Sequence, residues 1–161
     1  MKMTTQEEYG LRCLLRLGRE PAGESLTISE LSRREGIASP TVAKMMRILR
    51  RAGLVRSTRG KEGGYTLSRS PEAINIGEAL AALGGRLFDA RFCERHSGAF
   101  RLCTHTPDCS IRSVWRVLQD VVDGVLGRMT LKDLLHTEEE VTASVSPRAV
   151  PLPLLSSRRA G

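Results

Sequence analysis

The distribution of apolar residues predicts a mainly α protein with one small β-hairpin, and three features predict it. Two short helical patterns are joined by a tight turn at Gly36, and the second is basic on its free face. A basic, glycine-rich hairpin follows directly. Farther along, one long helical pattern carries a continuous apolar stripe, more than a small domain covers by itself.

At 161 residues with 40% hydrophobic composition, the chain supports one compact domain with an appended arm, not two independent cores. No apolar run approaches the roughly 20 residues that cross a bilayer, so a membrane partner is excluded and a cytoplasmic protein is expected. Four cysteines in such a reducing compartment are thiols or metal ligands in preference to structural disulfides. The formal charge is +7, and its placement is uneven: 14 Lys/Arg against 7 Asp/Glu lie in residues 1–70, but 8 against 11 lie in residues 71–140. Phosphate backbones attract such a patch through counterion release, which makes double-stranded DNA the leading partner. No nucleophile–base pair, phosphate-cradling glycine loop or paired acidic site stands out, so the chain is not read as an enzyme.

Thr5 and Glu8 have the spacing of a capping box, and Leu11, Leu14 and Leu15 then recur at helical intervals up to Gly18. Cys13, inside this helix, is read as a small core residue. Thr27 with Glu30 forms a second capping box, with a Leu26/Leu31 hydrophobic staple, and that helix stops at Gly36. Ser39–Pro40 is an N-cap followed by proline at the first helical position. In the third helix Val42, Met45, Met46 and Leu49 keep the i, i+3, i+4, i+7 rule, leaving Thr41, Lys44, Arg47 and Arg51 largely opposite, and Gly53 ends it. Leu54–Ser57 and Tyr65–Leu67 read as strands joined through Arg59, Gly60, Lys61 and two further glycines.

Tight paired helices followed by a basic hairpin form a winged helix-turn-helix domain, whose third helix enters a major groove. Ser39, Pro40, Thr41, Lys44, Arg47, Arg51, Arg59 and Lys61 are the expected DNA-binding residues. Thr41 and Lys44 are the candidates for base edges, and Arg59 and Lys61 for the minor groove or its flank. A solvated charged face is the bland reading of these cations, and the wing beside them argues against it.

Asn75 with Glu78 caps a helix that carries Ile76, Leu80 and Leu83 and ends at Gly84. An irregular stretch follows, and Ser110 opens the long helix with Ile111, Val114, Trp115, Leu118, Val121, Val122 and Val125 on its stripe. Such a helix needs a partner, so it is read as a dimerisation helix with Trp115 in the dimer core. Thr130 caps a last short helix with Leu131, Leu134 and Leu135. The expected divisions are a DNA-binding domain over 1–85, a cysteine loop over 86–109, the dimerisation helix and short C-terminal helix over 110–136, and a disordered tail over 137–161.

Cys93, Cys103 and Cys109 stand in the loop at intervals of nine and five residues. A flexible loop brings three such thiolates to one metal centre, and their softness suits an iron-sulfur cluster or zinc equally.

The opening Met1–Thr5 with Tyr9–Arg12, the segment Leu49–Val55, the wing Arg59–Leu67 and the later Ile76–Glu78 resemble the Rrf-two family of bacterial winged-helix repressors, from residue 1 to about residue 135. The resemblance implies a homodimer with crossed long helices, in which two heads read a partly palindromic operator. It also favours the family's cluster-binding branch, which carries three cysteines in this loop. The implied cofactor is an iron-sulfur cluster, 2Fe–2S or 4Fe–4S, held by Cys93, Cys103 and Cys109. In one branch a histidine three residues after the last cysteine is the fourth ligand, and here that position holds Arg112. In another a carboxylate near the start of helix one reaches the partner subunit's cluster. Glu8 holds that place and is the first choice for fourth ligand, with His105 the alternative and His96 a further competitor. The expected function is a homodimeric repressor sensing redox, iron-sulfur status or nitric oxide. The alternative is a cluster-free regulator that binds zinc or switches by oxidation of its thiols.

Overall fold

The computed structural model describes residues 3–58, 63–86, 88–89, 91–98, 103, 105 and 108–145. Within them lie α1 (Thr5–Gly18), α2 (Ile28–Glu35), α3 (Ser39–Arg51), the antiparallel strands β1 (Val55–Ser57) and β2 (Tyr65–Leu67), α4 (Ile76–Leu83), α5 (Phe92–Arg95), α6 (Ser110–Leu126) and α7 (Glu138–Val145). Single 3-10 turns at Pro71–Ala73 and Asp133–Leu135 complete the order.

The core forms where the apolar stripes of α1 to α4 meet. Val42, Met45, Met46 and Leu49 of α3 are buried against Cys13, Leu14 and Leu17 of α1, Leu31 of α2 and Leu80 and Leu83 of α4. Helices α1 and α4 come so close that a Cβ on Gly10 would lie 2.4 Å from Leu83 Cδ2, so any larger residue there would displace the Leu83 side chain. Glu35, at the end of α2, takes Arg16 at 2.6 Å and Arg12 at 3.2 Å, and Arg12 also donates to its main-chain carbonyl. That pairing fixes α2 across α1. Gly36 then turns left-handed at φ 65°, which aims the chain into α3.

The hairpin pairs Val55 with Leu67 and Ser57 with Tyr65. Its base is stitched to the head twice: Leu26 and Tyr65 exchange backbone bonds at 2.8 and 2.9 Å, and Ser68 N–H donates to Leu54 O at 3.1 Å. The wing residues Arg59 and Lys61 lie outside the described residues.

After the cysteine loop, α6 runs from Cys109 back to the head, and the chain re-enters the core at Leu131, which is fully buried. Leu131 N–H donates to Ile74 O at 2.8 Å, and Ile76 N–H to Met129 O at 2.9 Å. Helix α6 rests on the head at one end only. Ile111 is 52% exposed, Val114 56%, Leu118 44% and Trp115 38%.

Several cap expectations need correction. The capping box of α1 is Thr4 with Glu7, not Thr5 with Glu8: Thr4 N–H donates to Glu7 Oε2 at 2.6 Å, and Glu7 is buried where Glu8 is exposed. Helix α3 is capped at Ala38, and the Ser39 hydroxyl bonds Ser32 instead. Asn75 does cap α4, but the Glu78 carboxylate pairs with Arg69 at 2.8 Å and leaves the box half made. Thr130 and Asp133 bond each other around a 3-10 turn and not an α-helix. The irregular loop contains the one-turn α5, and the expected disordered tail instead begins with α7, where Thr137 and Glu140 form reciprocal bonds at 2.9 and 3.3 Å. Residues 146–161 lie outside the described part of the chain.

Candidate nucleic-acid interface and cysteine pocket

Burial of one face of α3 decides what its other face offers. Pro40, Lys44, Arg47 and Arg51 follow one another at i, i+4, i+7 and i+11 and are all exposed, with Ser39 beside them and Thr41 half-buried at the edge. The first turn of α3 holds no acidic residue, and its helix N-terminus adds its own positive end. Among the described residues Arg12, Arg16, Arg34, Arg69, Arg86, Arg95 and Lys132 are all paired with carboxylates, whereas Lys44, Arg47, Arg50, Arg51 and Arg56 are paired with none. The cations of α3 and β1 thus form a contiguous group without carboxylate partners, although Arg19, Arg33, Arg91, Arg116 and Arg128 are likewise in no ion pair among the described residues. A polyanion meets that field without first breaking an ion pair. The Ser68 hydroxyl, donating to Gly53 O, holds the hairpin base against the end of α3.

The second site lies at the opposite end of α6. Phe88, Phe92 and Trp115 form its wall: the Phe88 and Phe92 rings are 5.3 Å apart, and Phe92 and Trp115 are 6.3 Å apart. His96 stacks on Phe92 at 4.2 Å. Against this wall lies a cavity of about 160 Å³ lined by Cys93, Cys103, Cys109, His96 and His105, with Ile111 and Arg112 at its α6 side. The three cysteines are half-buried, while Cys13 is fully buried in the core, where loss of hydration pushes its thiol up to about 12.

Local structure sets each donor. Cys109 is the N-cap of α6, and its Sγ accepts the Arg112 N–H at 3.3 Å. His96 Nδ1 lies 2.8 Å from Phe92 O; a carbonyl only accepts, so Nδ1 carries the proton and a neutral ring keeps its lone pair on Nε2. The loop is anchored on α6 by Gln119, buried although polar. Its Oε1 accepts Phe88 N–H at 3.0 Å and its Nε2 donates to Asp123 Oδ1 at 2.8 Å, while Arg86 reaches Asp123 Oδ2 at 2.6 Å.

The chain thus gathers the three predicted cysteines and both histidines around one cavity, and Arg112 joins them. Glu8 is not among them: it is exposed on α1, with no side-chain bond among the described residues. Among the described residues, no three His, Cys, Asp or Glu side chains stand in metal-holding geometry. The donor set nevertheless suits a soft metal or cluster, since three thiols and two imidazoles share one partly enclosed space. Sequence reasoning missed Phe88, Phe92 and Gln119. Their signals were the i, i+4 spacing of Phe88, Phe92 and His96 and a glutamine flanking an apolar stripe.

Comparison with known proteins assigns the chain to one family. The family described as Rrf2, iron-dependent transcriptional regulator, matches residues 3–137. This chain belongs to the Rrf2 (Rrf-two) family. It is 28% identical over 158 residues to the HTH-type transcriptional regulator IscR of Salmonella agona, covering 98% of this chain and 93% of that one. The solved structure of CymR, the global cysteine regulator of B. subtilis, superposes with a TM-score of 0.65 at 27% identity, covering 84% of this chain and 96% of that one. T. potens IscR gives the same TM-score at 29% identity, covering 84% and 86%. This Rrf2 protein is therefore a DNA-binding transcriptional regulator and not an enzyme. No helix among the described residues is long and apolar enough to cross a membrane.

Proposed function

We propose that this Rrf2 protein is a cytoplasmic homodimeric repressor in which Cys93, Cys103 and Cys109 hold an iron-sulfur cluster. The observation that carries the reading is the single cavity lined by all three thiols at the free end of α6. When bound, the cluster supplies reversible redox chemistry and sensitivity to oxygen or nitric oxide. Glu8 of the other subunit is the favoured fourth ligand, because its carboxylate is exposed and uncommitted, and His105 is the alternative.

Pairing of two chains covers the exposed stripe of Ile111, Val114 and Leu118. Each head then presents Ser39, Pro40, Thr41, Lys44, Arg47 and Arg51 to one major groove, with Arg59 and Lys61 at the wing. The cysteine loop fixes the start of α6 and the head fixes its end, so a change at the loop reaches the spacing of the heads. A coupling of about 1–3 kcal/mol alters operator affinity severalfold to about 150-fold.

Anaerobic purification tests the cofactor. Brown protein with iron, sulfide and visible absorption, lost in Cys93→Ser, is the expected result; colourless protein containing zinc, or none, overturns it in favour of a zinc or thiol switch. Sedimentation and duplex binding of the same material test the dimer and the DNA contact.

A further inference from the structure

At the junction of head and arm, beside the backbone bonds of Ile74 and Ile76, stands one polar side chain, Asn75. Its Oδ1 accepts Glu78 N–H at 3.1 Å and so caps α4. Its Nδ2 faces the other way, donating to Gly127 O at 2.9 Å and Met129 O at 3.1 Å, with Leu126 O at 3.4 Å. Those carbonyls belong to the last turn of α6 and the residues just after it, where helical partners run out. One planar amide therefore closes the start of a head helix and the end of the arm together. The packing leaves it little room: a Cβ on Gly77 would lie 3.0 Å from Asn75 Oδ1 and 3.5 Å from Leu126 Cβ.

Capping alone does not explain asparagine here. Serine and aspartate cap helices about as well. Neither offers the amide donors that reach the arm. The geometry points to Asn75 as a positioning residue that fixes the angle between α4 and α6, and through it the half-site spacing that the paired heads accept. This rests on the paired-head reading above. The lever is favourable: a swing of about 10° across a domain roughly 20 Å wide moves a recognition helix by about 3.5 Å, close to the rise of one base pair.

The test compares full-length wild type with Asn75→Ser, which retains an N-cap hydroxyl and lacks the donors. Each protein selects from a duplex library with a randomised central segment. Affinities are then measured for the recovered duplex and for versions lengthened or shortened by two base pairs between half-sites. Wild type is expected to prefer its spacing by at least about tenfold, and Asn75→Ser by less than about threefold, with the same half-site sequence and sedimentation as wild type. If Asn75→Ser does not fold, the same ratio is read for Asn75→Asp, which keeps shape and cap and loses the donors. Spacing preference unchanged in the folded variant overturns the inference and leaves the dimer intact. A wild type that sediments as a monomer overturns the paired-head reading, and the inference with it.

Discussion

Cations that look alike on α3 should behave differently when removed. Lys44 lies near the helix start, the end proposed to face base edges, so Lys44→Ala is expected to lower discrimination between operator variants by about 1–3 kcal/mol. Arg51 lies two turns later, and Arg51→Ala is expected to weaken all duplexes alike and to reduce the salt dependence by about one counterion. Binding titrations at several salt concentrations separate the two, and equal losses for both would contradict the assignment. A second prediction concerns Cys13, whose ordinary value of 9.0 is pushed up to about 12 by burial. Above 9.0 the unfolded thiol ionises while the folded one keeps its proton, so stability falls by up to about 1.4 kcal/mol per pH unit until about 12. Denaturant titrations should show a shallower alkaline decline in Cys13→Ala, and native protein should offer thiol reagents Cys93, Cys103 and Cys109 before Cys13. At this scale the sequence was legible in its apolar residues and less so in its caps. Thr4 with Glu7 and Thr5 with Glu8 are equivalent as patterns. Tertiary packing chose between them, because the Glu7 carboxylate fits against Gly85, where a Cβ would lie 2.9 Å from Glu7 Oε1.

Helix α6 shows what an element owes to its ends. Cys109 serves as its cap, so Cys109→Ser should lose any bound metal and keep the capping acceptor. Cys109→Ala should lose both, and unfold at a lower temperature than the serine variant by an amount worth about 1 kcal/mol. Calorimetry on metal-free samples checks this; identical midpoints would show that a capping acceptor at position 109 does not stabilise the helix. The elements α1 to α4, β2 and α6 were legible because amphipathic period and glycine stops agree there, even where the capping residue was misplaced by one position. Helix α5 was not, since four residues are too few to show a period. Helix α7 carried a readable Thr137/Glu140 signal, masked by the Ser, Pro, Ala, Glu and Arg composition around it.

For the whole molecule, the decisive surface is the uncovered side of α6. Val114→Glu places a charge at its most exposed apolar position without touching the head core, so the variant is expected to remain helical, sediment as a monomer and lose at least about 100-fold in operator affinity as two-headed binding is lost. A dimeric Val114→Glu protein would place the interface elsewhere. The architecture was legible in chain order: paired helices, wing, cysteine loop, long helix. The joint at Asn75 was not, because the cap pattern of Asn75 names one of its two bonds, and the second depends on where α6 returns to the head. Trp115, the single tryptophan, lines the cysteine cavity and also forms part of the uncovered stripe. Its emission is consequently a built-in optical probe of both events. Dilution that separates the chains should shift its fluorescence to the red as the indole meets water, whereas a visible-absorbing centre entering the cavity should darken it without that shift.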